Sequence, residues 1–249
     1  DANGLLLLLQ HAQIRIGGIQ HRPAAAADYR DGPPLRALLD GGANVNTVSA
    51  GDGTSPLLMA AINGQFDMAM LLLDRGADPN LTAGVNGATP LWSAVNTQWQ
   101  PRTRFPQPQE MELQKATYLD VMTKLLEKGA DPNLRIKQHP WYMVYSGCGN
   151  RNCGLADTSG STAFWRASYS TDVEAMKLLV KHGADPHIPT MAPKAAVRRG
   201  PEGGGPGSDG SKQALTVEIP KLTPIPYGGP GASALHAAAG VEYGEGFAG

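Results

Sequence analysis

The sequence predicts an all-α solenoid of helix–turn–helix units joined by extended finger loops. Two observations carry that prediction. Nearly the same phrase ends four apolar runs: "LLDGGANVN" (38–46), "LLDRGADPN" (72–80), "LLEKGADPN" (125–133) and "LLVKHGADPH" (178–187). A second phrase recurs at "GTSPLLMAA" (53–61), "GATPLWSAV" (87–95), "GSTAFWRAS" (160–168) and "GASALHAAA" (231–239). Two phrases alternating in a fixed order mark a repeat architecture, in which each unit buries its apolar face only against its neighbours.

Each phrase has a physical reading. Ser55, Thr89, Thr162 and Ser233 stand where a hydroxyl accepts from the free N–H groups of a helix's first turn. Pro56 and Pro90 follow at the first helical position, where a missing N–H costs nothing. The other phrase ends a second helix. Gly42, Gly76, Gly129 and Gly183 supply the left-handed residue that stops it, and Pro79, Pro132 and Pro186 prevent continuation. In the fourth unit Thr171-Asp-Val-Glu174 reads as a capping box with Thr171 as the cap. A degenerate copy of the helix-opening phrase, "DANGLLLLL", starts the chain.

Residues 53–80 resemble the ankyrin repeat almost residue for residue, following the pattern G-x-T-P-L-H-x-A-A and then V-x-L-L-L-x-x-G-A-D-V-N. With insertions the resemblance runs along the whole chain and is to ankyrin-repeat proteins of bacterial type. It implies a right-handed solenoid with repeats at about 1–46, 47–80, 81–133, 134–187 and a partial unit at 188–249. It also implies a non-catalytic scaffold that binds a protein partner through a concave surface of inner helices and finger loops.

Spacing locates the insertions. Gly42 to Gly76 is 34 residues, close to one ankyrin unit, but Gly76 to Gly129 is 53 and Gly129 to Gly183 is 54. Ser55 to Asn80 and Thr162 to His187 are each 25 residues, whereas Thr89 to Asn133 is 44. The third unit therefore carries an insert between its helices, roughly 97–115, and the first has a similar one at roughly 15–34. Two further surpluses, about 134–159 and 188–230, fall in finger loops. Helix layers pack ~10 Å apart and a stretch of ~19 residues reaches ~60 Å extended, so inserts on one edge are able to touch.

Composition excludes several classes. Of 249 residues 41% are apolar and the formal net charge is −1, which speaks against disorder and against general attraction to nucleic acid or acidic membranes. The run Leu5–Leu9 is far short of a membrane span and no signal peptide is visible. No Ser/His/Asp set, paired carboxylates, HExxH or phosphate loop appears. "GGGPGSDGS" (203–211) lacks the Gly-Lys-Ser/Thr ending and reads as a flexible linker. No catalytic residue, metal site or cofactor is expected.

The insert at 134–159 holds the candidate binding residues. In "HPWYMVY" (139–145) Trp141, Met143 and Tyr145 alternate with Tyr142 and Val144, as on a strand, and "ALTVEIPKL" (214–222) alternates similarly. The two segments either pair across adjacent fingers or lie separately on the helices. Trp141, Tyr142 and Tyr145, with Arg135, Arg151 and Arg166, are the expected partner-binding set, of types that dominate interfaces. Cys148 and Cys153 share one Gly-rich loop. Free thiols are one reading and metal ligands with His139 another, but two cysteines give only two of the four ligands a closed zinc site needs. A local disulfide is favoured, which places the protein in the periplasm or outside the cell; free thiols place it in the cytoplasm. Trp92 and Trp165 are expected to pack between neighbouring repeats, His236 to be structural and His187 to lie in a finger. Arg102, Arg104, Arg198 and Arg199 read as solvated loop charges.

Neither end shows a polar capping unit, so a longer protein or a covering molecule is expected. Two alternatives to the binding scaffold follow: a subunit that self-associates head to tail, and the targeting region of an enzyme extending past residue 249.

Overall fold

Helix starts and stops fall where the two phrases put them. The computed structural model describes residues 33–99, 113–140, 158–191 and 231–240. Their helices are α1 (Pro33–Asp40), α2 (Pro56–Ile62), α3 (Phe66–Asp74), α4 (Pro90–Trp99), α5 (Tyr118–Glu127), α6 (Ala163–Tyr169), α7 (Val173–Lys181) and α8 (Ala234–Ala238). Side-chain oxygens of Ser55, Thr89, Thr162 and Ser233 each accept from the backbone N–H three residues on. Gly42, Gly76, Gly129 and Gly183 all have φ between +85° and +90°. The architecture is all-α, with no strand among the described residues.

One cap differs from expectation. In the fourth unit Asp172 is the N-cap of α7, accepting from the Ala175 N–H at 3.0 Å, and Thr171 is not part of the cap. Thr171 instead takes φ 54°, at the turn position that Gly64 fills with φ 68° in the second unit. A left-handed conformation costs an L-residue roughly 1–2 kcal/mol, more readily incurred by glycine than by a β-branched side chain. Thr171→Gly is therefore expected to stabilise the protein by about 1 kcal/mol, read as a higher urea midpoint at unchanged slope.

The helices stack in two rows. α2, α4, α6 and α8 form one row in that order; α3 packs on α2, α5 on α3 and α4, and α7 on α6. The continuous core between the rows includes Leu35, Phe66, Leu72, Leu91, Trp92, Val121, Leu125 and Leu179. Trp92 and Trp165 are buried and tie unit to unit as expected: Trp92 Nε1 donates to Ser161 Oγ and Trp165 Nε1 to the Ala232 carbonyl, each at 2.9 Å. Trp165 also stacks on Tyr169, ring centres 5.4 Å apart.

A ladder of side-chain amides joins the units along their finger side. Asn46 Oδ1 accepts from Asp78 N–H at 2.8 Å and its Nδ2 donates to the Gly76 carbonyl at 3.4 Å. Asn80 makes the same pair with Asp131 and Gly129, both at 2.8 Å, and Asn133 with Asp185 and Gly183, at 2.7 and 3.0 Å. The last residue of one repeat thus satisfies a carbonyl that the next outer helix leaves open at its C-terminus. At the fourth rung stands His187, exposed, as a finger residue.

Candidate partner-binding edge

Every finger is closed by the same two backbone bonds. In the second unit Ser49 N–H donates to the Thr54 carbonyl and Gly53 N–H to that of Ser49; in the third, Ala83 pairs with Ala88 and Gly87 with Ala83. The fourth repeats the pattern with Ile136 to Ser161 (3.0 Å) and Gly160 to Ile136 (2.9 Å), the fifth with Thr190 to Ala232 and Gly231 to Thr190 (both 3.0 Å). The bonds that bridge 49–53 and 83–87 therefore also bridge 136–160 and 190–231. The two large insertions begin and end inside an unaltered base and are carried at the finger tips.

Adjacent fingers are bonded to each other. Gly84 N–H donates to the Asp52 carbonyl, Lys137 N–H to that of Asn86, and Met191 N–H to that of Ser159 at 2.9 Å. Hydrogen bonds from Ser49 and Thr54 overcome the opposing effect of partial burial and hold the Asp52 carboxyl below its ordinary value. Because Ser159 and Met191 sit at the exit points of the two inserted tips, those tips leave the scaffold side by side.

Of the expected binding residues, Trp141, Tyr142, Tyr145 and Arg151 lie outside the described residues, as do Cys148, Cys153 and the "ALTVEIPKL" segment. Arg135 is half-buried at the base: its Nε donates to the Gly160 carbonyl at 2.8 Å and Nη2 to the Pro189 carbonyl. It clamps two fingers together. His139 is also engaged there. The Thr158 N–H and hydroxyl converge on its Nδ1 at 3.2 and 3.0 Å, and the His139 N–H donates to Ser159 Oγ.

Arg166 needs a correction. It was expected to face a partner, yet it is 0% exposed. Nε donates to Asn96 Oδ1 at 2.8 Å, Nη2 to the Trp99 carbonyl at 3.1 Å and Nη1 to Ser170 Oγ. The planar fork of donors suits it to cross-linking three acceptors inside the fold. The inner-helix row is closed more generally. Leu58, Trp92, Ser93, Asn96, Thr97 and Trp165 are each 4% exposed or less, so α2, α4 and α6 offer no open concave surface.

On the opposite edge two carboxylates grip the third unit's insert. Asp67, at the start of α3, accepts from the Lys115 and Ala116 N–H groups, and its own N–H donates to Gln114 Oε1 at 3.1 Å. Asp172 Oδ2 accepts from Trp99 Nε1 at 2.7 Å and from the Tyr118 hydroxyl at 2.9 Å. Burial and this carboxylate push the Tyr118 phenol well above its usual range. Backbone and hydroxyl bonds from Thr117 hold Asp120 below its ordinary value. Neither anchor was anticipated from sequence, since their partners lie 47 to 73 residues away. α4 also runs on to Trp99, past the position where the insert was expected to start.

An open groove of about 610 Å³ runs over the outer helices, lined by Met68, Met70 and Leu71 with Arg36, Arg75, Lys115, Asp67, Asp74 and Asp120. Its carboxylates serve the fold: Asp67 and Asp120 cap, and Asp74 pairs with Lys124. No group of three or more His, Cys, Asp or Glu able to hold a metal occurs among the described residues, and none of their helices is long and apolar enough to cross a membrane.

Comparison with known families finds ankyrin repeats (three copies) over residues 24–105 and a further ankyrin repeat over 159–191. A search of curated proteins gives no match.

Proposed function

The chain is an ankyrin-repeat protein, and from that premise we propose that it is a non-catalytic scaffold holding a protein partner with its two enlarged finger tips. Ankyrin repeats generally mediate protein–protein interactions and the family is typically non-catalytic. The observation that carries the reading is the bond from Met191 N–H to the Ser159 carbonyl, which joins the exits of both tips on a rigid base. Loops displayed by a rigid scaffold are the usual carriers of recognition. The closed inner row moves the binding surface from the inner helices to the finger edge, and Arg135 supports that surface from beneath.

Replacing residues 137–159 and 191–230 each by a three-residue turn, as between Ser49 and Gly53, tests the reading. Partners captured by the intact chain should be lost, singly or jointly, while circular dichroism of the scaffold stays unchanged. Retention of the same partners by the doubly shortened chain overturns it.

Within the first tip we propose that Cys148 and Cys153 form a disulfide that stiffens the loop, and that the protein works in an oxidising compartment. Thiol titration of the unfolded, non-reduced protein is then expected to find no free thiol, rising to two after reduction. Two thiols without reductant would remove both the bond and the compartment.

A further inference from the structure

Counting back from the glycine that ends each outer helix reveals a face built for one more helix. Ten and three positions before Gly76 stand Phe66 and Leu73, 1% and 0% exposed. The same positions before Gly129 hold Leu119, half-buried, and Leu126 at 6%. Before Gly183 they hold Val173 and Val180, apolar again but 51% and 52% exposed. In the inner row Leu57 and Leu91 are each 1% exposed, whereas Leu235, at the same register of α8, is 80% exposed. Positions that bury apolar side chains in the middle of the rows are thus open together on α7 and α8.

Charge specifies what fits. Two positions before the closing glycine, earlier outer helices carry an acid that pairs with a base on the next helix. Asp40 pairs with Arg75 and Asp74 with Lys124. Those bases stand one and five positions before Gly76 and Gly129 respectively. On α7 the acid is replaced by Lys181, which is exposed and has no ion-pair partner. The helix that seats here needs the opposite sign, a carboxylate at one of those two positions. At the end of the amide ladder, His187 is also exposed, ready to donate to the C-terminal carbonyl of such a helix as Asn46, Asn80 and Asn133 do to theirs.

We propose that the face formed by Val173, Val180 and Leu235 docks an amphipathic helix of another protein that presents a carboxylate to Lys181. A second copy of this chain is the poorer fit, because its α1 offers Ala37 and Gly41 at the two facing positions. The surface is separate from the finger tips, so its fate does not bear on theirs.

The probe is a labelled, helix-stapled peptide of residues 117–129, whose Lys124 and Lys128 occupy the two facing positions. Fluorescence anisotropy compares it with the same peptide bearing Lys124→Glu and Lys128→Glu, each titrated with the full chain. The acidic peptide should bind about fivefold more tightly, the order should invert with Lys181→Glu, and Val180→Asp should abolish binding of both. Equal binding of the two peptides, binding of neither, or a preference untouched by Lys181→Glu overturns the proposal. Concentration-dependent dimers in sedimentation velocity that Val180→Asp dissolves would assign the face to a second copy and overturn it as well.

Discussion

Arg166→Ala is expected to destabilise the protein by about 3–4 kcal/mol. The side chain is fully buried, so the substitution leaves a cavity and removes a hydrogen-bonded charge at once. It strands the amide oxygen of Asn96 and the carbonyl of Trp99, both in α4, and the Ser170 hydroxyl that ends α6. Each unpaired buried acceptor costs roughly 1–3 kcal/mol, more than the bond itself contributes. Arg166→Lys should recover little, since one ammonium group lacks the flat fork that reaches three acceptors. Urea denaturation followed by tryptophan fluorescence reads the loss. A value below about 1 kcal/mol would mean that the guanidinium is not the joint between the third and fourth units. Because solenoid stability is a sum of unit and interface terms, the damage should appear first as detachment of the fourth and fifth units, visible by hydrogen exchange in α6 and α8 before α2.

That the same arginine was read from sequence as a partner contact shows where legibility stops. Local rules were readable: a hydroxyl before Pro56 or Trp92, a glycine after α3, a proline beyond it. Each depends on residues within four positions, and the helix starts and stops agree with them. Contacts across units were readable only where the repeat itself encodes them, as for Trp92 and Trp165. The recurrence of Asn46, Asn80 and Asn133 was visible, but not that each amide bonds the next unit's backbone. Arg166, Asp67 and Asp172 find their partners in another unit, across or beside an insert whose length shifts the register, and no pattern in the chain announces them. Even the misplaced cap has this cause. Thr171 and Asp172 are both good N-caps, and the choice falls to Asp172, whose second carboxylate oxygen also holds Trp99 and Tyr118. The finger tips illustrate the converse: their bases could be located because glycine and a hydroxyl residue recur at 53–55, 87–89, 160–162 and 231–233, whatever lies between.

Gly160→Ala should destabilise the protein by about 3 kcal/mol and weaken partner binding with it. The residue has φ +74°, and a Cβ there would stand 2.6 Å from the Met191 backbone nitrogen and 2.5 Å from its Cγ. The side chain has room to turn away, but the nitrogen does not, because it donates to Ser159 in the bond that joins the exits of the two tips. Relief therefore requires the fourth and fifth fingers to part. Gly231→Ala is the control. Its φ of +88° carries the same left-handed strain, yet a Cβ there meets no heavy atom within 4 Å. It should cost only the roughly 1–2 kcal/mol of backbone strain and leave the fingers joined. The difference between the two variants isolates the close approach from the conformation. If a protein partner bridges both tips, Gly160→Ala should weaken it at least tenfold under conditions where the chain remains folded, and Gly231→Ala should leave its affinity within about twofold, since a small rigid displacement disrupts a two-point contact more than a uniform loss of stability does. Equal losses in the two variants would show that the fingers act independently and that the seam between Ser159 and Met191 has no part in binding.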